Sequence, residues 1–214
     1  MAILKAEDRQ KVEQVFAAIT HPVKLVMFTQ SMECDYCQMT RELLLELAGL
    51  NDDITVDVYD FIEDEAQAQA YEIDKIPATV VMGDKDYGIR FYGVPAGYEF
   101  MSLIEDIVDV GKRDHGLSPS VVAQLAKVDQ PVRMQAMVTP TCPYCPRAVR
   151  TAHKFAMASE YITGDMVEIT EFPQLAVKYS VQGVPNTIIN DTESVVGAQP
   201  EKAFAKAVLK AIGR

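Results

Sequence analysis

Apolar residues along this chain fall into short runs with two rhythms. Val23-Lys24-Leu25-Val26-Met27-Phe28-Thr29 is an apolar run of strand length, and Ile54–Asp60 alternates with the period of two of a half-buried strand. Between them, residues 36–48 place Leu43, Leu44 and Leu47 at helical spacing. The Glu-, Gln- and Ala-rich stretch Glu63–Glu72 reads as a further helix. After Pro77 the pattern gives two antiparallel strands, Ala78–Met82 and Tyr87–Tyr92, and an amphipathic helix over Tyr98–Val110. The same series then recurs, with strands near 132–138, 166–170, 186–190 and 193–197 and helices near 143–159, 172–179 and 200–212. Helices near 7–19 and 119–127 precede the two series.

The recurrence has a fixed offset. A shift of 108 residues lays Cys34 on Cys142, Cys37 on Cys145 and Pro77 on Pro185, and it also brings Asp60 onto Glu168 and Tyr71 onto Tyr179. Beyond the prolines the second copy is four residues shorter, with Gly93 matching Gly197. One fold is used twice. Each copy opens strand–helix–strand, which demands a parallel right-handed crossover, and closes with a hairpin that adds antiparallel edge strands. The expected fold class is therefore α/β, with two tandem units, each a mixed central sheet flanked by helices. The first unit spans residues 1–117 and the second 118–214. Gly111–Leu117 forms the linker, after which Ser118-Pro119 supplies an N-cap and a first-turn proline.

Composition narrows the class. Apolar residues make up 49% of 214, enough for one or two packed cores. No apolar run reaches the roughly 18 residues that span a bilayer, and Met1–Asp8 lacks the basic and apolar regions of a signal peptide, so a cytoplasmic setting is expected. The net charge of −11 argues against nucleic acid or an anionic membrane as partner. Residues 1–117 carry 10 basic against 23 acidic side chains and residues 118–214 carry 10 against 8, an asymmetry that reads as solvated faces.

The four cysteines lie in two close pairs, Cys34 with Cys37 and Cys142 with Cys145. In a reducing compartment such pairs are catalytic or metal-binding more often than structural. A shared four-cysteine zinc site is disfavoured, because its pairs commonly lie roughly 15–20 residues apart and these are offset by 108. Cys142-Pro143-Tyr144-Cys145 sits where a strand runs into a helix start, where unpaired amides and the helix dipole favour a thiolate. Pro143 is suited to the first helical turn. Cys145, three residues on, is placed to resolve a mixed disulfide formed at Cys142. Pro77 and Pro185 open strands opposite the pairs. In the cis form Pro185 would leave the backbone of Val184 free to pair with an extended substrate chain, and Ile76 is the equivalent residue in the first unit.

These residues carry a resemblance. Cys-Pro-Tyr-Cys is the glutaredoxin active-site motif, and Val184-Pro185 matches the cis-proline site of the thioredoxin superfamily. The doubled arrangement resembles the microbial, glutaredoxin-like protein disulfide oxidoreductases, with further matching stretches at Tyr87–Arg90, Gly93–Gly97 with Glu99-Phe100, Ile104–Val108 and Thr139–Pro146. The resemblance implies two thioredoxin folds side by side and cis forms of Pro77 and Pro185. It also implies dithiol exchange on protein substrates through Cys34, Cys37, Cys142 and Cys145; no bound cofactor or metal is expected. Electrons would come from a flavoprotein of the thioredoxin-reductase type. The first motif departs from the commoner pattern by placing Asp35 between its cysteines.

That departure predicts unequal sites. Glu33 and Asp35 flank Cys34, and Glu42 and Glu46 follow on its helix, whereas Arg147, Arg150 and Lys154 follow Cys142. Positive charge favours a thiolate and negative charge disfavours it, so Cys142 is expected to have the lower thiol pKa. Other functions remain beside this one: an electron relay feeding a peroxiredoxin, a glutathione-dependent glutaredoxin, or a cysteine-independent chaperone. Asp60 and Glu168 are candidate proton carriers but read more simply as solvated strand ends. His21, His115 and His153 are expected at surface or linker positions, and the ten methionines as core fillers.

Overall fold

A computed structural model describes residues 3–214. The first half runs α1 (Ala6–Phe16), β1 (Val23–Thr29), α2 (Cys37–Ala48), β2 (Ile54–Asp60), α3 (Glu65–Ala70), β3 (Ala78–Met82), β4 (Asp86–Tyr92) and α4 (Glu99–Lys112). The second runs α5 (Pro119–Leu125), β5 (Val132–Val138), α6 (Cys145–Ala158), β6 (Ile162–Glu168), α7 (Pro173–Lys178), β7 (Asn186–Ile189), β8 (Glu193–Val196) and α8 (Glu201–Ala211).

The strands form one eight-stranded sheet in the order β2-β1-β3-β4-β6-β5-β7-β8. Within each half a parallel crossover pair, β1/β2 or β5/β6, is followed by antiparallel pairing to the hairpin. The halves join because β4 pairs in parallel with β6, Ile89 opposite Gly164 and Phe91 opposite Met166. This corrects the expected edge position of the first hairpin: β4 lies in the interior of the sheet, and β2 and β8 are its edges.

Alternation along the strands divides the core between two faces. Leu25 and Met27 of β1 point into the layer holding α1, α2 and α4, while Val26 and Phe28 point to the other face. Met134 of β5 meets α5, α6 and α8 in the same way. The second face is covered largely by the short α3 and α7 and the residues beside them, through Ala68, Ile73, Phe172 and Leu175.

One strand differs from expectation. The strand expected at 166–170 starts earlier, as β6 over Ile162–Glu168, and takes in Gly164 and Asp165. Gly164 serves close packing: a Cβ there would stand 2.6 Å from the Ala152 carbonyl oxygen of α6. Asp165 is buried and accepts a hydrogen bond from Arg133 Nε at 2.6 Å.

Candidate active sites

Each cysteine pair bridges a loop and a helix start. Cys37 is the first residue of α2 and Cys145 the first of α6, with Tyr36 and Tyr144 as the N-cap residues. Both pairs are disulfide-bonded, with Cα atoms 5.5 Å apart. Pro143 therefore lies in the turn closed by Cys145 N–H donating to the Cys142 carbonyl at 3.3 Å, and Pro146 occupies the first helical turn instead. Four residues, Gln30–Glu33, separate β1 from Cys34, whereas three, Thr139–Thr141, separate β5 from Cys142. Exposure follows this difference. Cys34 is partly exposed, Cys142 is 8% exposed, and Cys37 and Cys145 are buried.

The Ile76-Pro77 and Val184-Pro185 peptides are both cis. Val184 brings its carbonyl oxygen 3.7 Å from Cys142 Sγ, within reach of a hydrogen bond from the thiol once the disulfide is reduced. In the first half, Ile76 and Pro77 line a cavity of about 440 Å³ together with Cys34, Asp35 and Tyr36. All eight residues named from the sequence are thus gathered in two matching places.

The halves complete one another at these sites. Thr170 and Glu171, just after β6, also line the cavity that holds Cys34. Glu171 Oε1 accepts a hydrogen bond from Val94 N–H of the first half at 2.7 Å. Conversely, Tyr98 N–H donates to the Pro140 carbonyl at 3.1 Å, just ahead of Cys142. Gly97 makes this approach possible: its φ is +60°, and a Cβ there would stand 2.1 Å from the Pro140 oxygen.

Two carboxyls at this seam titrate near neutral pH instead of in the ordinary carboxylate range. Glu99, buried at the start of α4, accepts a hydrogen bond from Ser102 Oγ at 2.7 Å; burial pushes its pKa up to about 7. Glu171 is likewise pushed up to about 7 by burial, with the nearby Glu168 adding to the shift and the Val94 hydrogen bond opposing it. Neither stands out in the sequence. For Glu171 a signal exists: the 108-residue shift lays it on Glu63, an acid three positions past Asp60 just as Glu171 is past Glu168.

Asp60 and Glu168 tie down the turns that follow their strands. Asp60 Oδ1 accepts from the N–H groups of Ile62 and Glu63, and Glu168 from those of Thr170 and Glu171. Glu168 is buried, not solvated. His153 also departs from expectation. Instead of a surface or linker position it is fully buried on α6, its Nδ1 2.6 Å from Asp106 Oδ2 and its Nε2 3.2 Å from the Arg90 carbonyl oxygen. Arg150, expected to favour the Cys142 thiolate, is buried and paired with Glu105, Asp106 and Asp109 of α4. Among the methionines, Met32, Met39 and Met101 are exposed rather than core-filling.

Comparison with known proteins places this arrangement. The thioredoxin domain family matches residues 132–210. A protein disulfide oxidoreductase from Aeropyrum pernix K1 superposes with a TM-score of 0.90 at 27% identity, over 98% of this chain and 94% of that one. The N-terminal domain of the alkylhydroperoxide reductase AhpF from Enterococcus faecalis superposes with a TM-score of 0.89 at 25% identity, over 96% and 99% respectively. The corresponding alkyl hydroperoxide reductase protein of Staphylococcus epidermidis is 24% identical over 89% of this chain. The chain spans about a third of the length of the curated relatives it matches, 31% of a Bacillus subtilis NADH dehydrogenase and 35% of the Staphylococcus epidermidis protein. The chain therefore carries two tandem thioredoxin-like folds, similar to those of the protein disulfide oxidoreductase and of the AhpF N-terminal domain, and its second half matches the thioredoxin domain family.

Proposed function

We propose that the chain exchanges dithiols and disulfides with protein substrates at two sites, Cys34/Cys37 with Ile76-Pro77 and Cys142/Cys145 with Val184-Pro185. The observation that carries this reading is the repeated juxtaposition of a Cys-x-x-Cys disulfide at a helix start with a cis-proline peptide. In the reducing direction, the Cys142 thiolate attacks a substrate disulfide, forming a mixed disulfide and releasing one substrate thiolate. The Cys145 thiolate then attacks Cys142 sulfur, releasing the second substrate thiolate and leaving the Cys142–Cys145 disulfide. Two electrons pass to the substrate, and the reverse sequence oxidises a substrate dithiol. Cys34 and Cys37 take the same roles in the first site. Residues 1–117 and 118–214 are the corresponding units.

The redox-active groups in this chemistry are the two disulfides, and exchange through them needs no bound cofactor. Re-reduction by a flavoprotein of the thioredoxin-reductase type, in a cytoplasmic setting, fits this chemistry. A second reading has support of its own: the likeness to the N-terminal domain of the alkylhydroperoxide reductase AhpF covers nearly the whole chain. On that reading the chain relays electrons from a flavoprotein to a peroxiredoxin. Glutathione is the alternative donor. Insulin-disulfide reduction by the wild type, a Cys34→Ser/Cys37→Ser variant and a Cys142→Ser/Cys145→Ser variant tests the proposal, each driven in turn by dithiothreitol, glutathione and a thioredoxin-reductase system. Each single-site variant should retain activity with dithiothreitol. Inactivity of the wild type with all three donors would refute the reading.

A further inference from the structure

The cavity beside Cys34 is a composite of both halves, and its ionisable side chains are all of one sign. Its lining residues include Glu33 and Asp35, both exposed, and Glu171 from the second half; none is a lysine, arginine or histidine. Glu171 is only partly committed. Its Oε1 receives Val94 N–H, while Oε2 is buried and receives no hydrogen bond among the described residues. The rim continues into a second depression holding Met32, Glu33, Asp60, Ile62 and Glu63. There Met32 is 76% exposed and Ile62 is 70% exposed, so the approach to Cys34 combines apolar contacts with carboxylates.

We propose that the Cys34 site selects substrates carrying lysine or arginine beside the reactive cysteine, and that Glu171 of the second unit is a specificity-determining residue of that site. This rests on the exchange function proposed above. A polypeptide laid along Ile76-Pro77 presents the side chains flanking its cysteine to the cavity walls, where a cation meets Asp35 and Glu33 on one side and Glu171 on the other. An acidic segment meets three like charges. At the second site the cysteine is flanked by Thr141 and Pro143 instead of acids, and the first half presents Gly97 and Tyr98 to the loop before it.

Glu171 gives the selection a pH signature. Its carboxyl sits near pH 7, facing Glu168 on its own loop, Glu33 and Asp35 across the cavity, and the Val94 N–H. As it ionises, discrimination between cationic and anionic substrates increases. Any change in the Cys34 thiolate fraction with pH acts equally on both substrates and cancels in their ratio.

The test uses the full chain with Cys142→Ser/Cys145→Ser, so that only the first site exchanges, with dithiothreitol as reductant. Three short disulfide peptides, alike except for lysine, glutamate or serine beside the cysteine, are compared. At low salt kcat/KM for the lysine peptide should exceed that for the glutamate peptide by about tenfold, and the ratio should fall in concentrated salt. The ratio should climb between pH 6 and pH 8. Glu171→Gln, which keeps the size and the Val94 contact, should lower it about threefold and flatten its pH dependence; Asp35→Asn should lower it but leave the pH dependence. The chain with Cys34→Ser/Cys37→Ser should show no lysine preference. Equal rates for the lysine and glutamate peptides, with normal turnover of the serine peptide, would overturn the selection alone. An unchanged ratio and pH profile in Glu171→Gln would overturn the role of Glu171. No turnover of any peptide would overturn exchange at this site and the selection with it.

Discussion

His153 of α6 and Asp106 of α4 meet across the seam between the two halves, Nδ1 to Oδ2 at 2.6 Å, with both side chains fully buried. Arg150 reaches the other oxygen of the same carboxylate, and Phe91 of β4 stacks edge-on against the imidazole with ring centroids 4.8 Å apart. One acid therefore holds two groups from the opposite half. Asp106→Ala should destabilise the chain by ~3–5 kcal/mol, since it strands a buried guanidinium. Urea unfolding measures this, and a loss below about 1 kcal/mol would mean that the cluster relaxes into solvent.

The continuous sheet makes a related prediction. With β4 hydrogen-bonded to β6 and the first core cluster spanning both halves, the two units should unfold together. Circular dichroism and a tyrosine fluorescence signal should give coincident transitions. Two separated transitions would show that the seam is weaker than the cores it joins.

Gly97→Ala should act on this seam and on the second site at once. The added methyl meets the Pro140 carbonyl, and its backbone sits at a φ that alanine adopts at a cost. A loss of ~2–3 kcal/mol is expected, together with slower exchange at Cys142. Thermal melts and single-site assays would register both effects.

Glu99 sets a pH dependence whose sign is fixed by its burial. Its pKa is about 7 in the fold against an ordinary value of 4.5, so the unfolded chain releases this proton first as pH rises. Stability falls through the interval from about 4.5 to about 7 and levels off above it. Glu99→Gln should remove this loss, gaining up to ~3 kcal/mol above pH 8 and almost nothing at pH 4. Melting temperatures across pH provide the comparison.

The thiol pKa values should remain ordered, with Cys142 below Cys34. Arg150 is already neutralised by three acids of α4, so the order rests mainly on the exposed Glu33 and Asp35 beside Cys34. Thiolate absorbance of the two single-site variants, titrated after reduction, would reveal equal or reversed values if this is wrong.

Much of this architecture is legible in the chain because the repeat states it twice. The fixed spacing from each cysteine pair to its proline locates both sites, and nearly every strand follows from apolar alternation. The misplaced β6 is instructive: laying Ile54–Asp60 on the second copy returns 162–168, whereas local pattern alone is misled by Gly164 and Asp165, whose roles are set by Ala152 and Arg133. What stays hidden are contacts between the halves. No periodicity reveals that His153 faces Asp106 or that Glu171 enters the other unit's cavity, because such residues are polar for reasons that arise only when two surfaces meet.

The most direct test of the account is to trap the exchange at each site. Full-length Cys145→Ser and Cys37→Ser variants, reduced, freed of reductant and mixed with insulin, should each retain one insulin chain in a mixed disulfide. Peptide mass mapping should place these at Cys142 and Cys34 respectively. Absence of any adduct at both residues, in proteins that remain folded, would contradict the exchange mechanism at its first step.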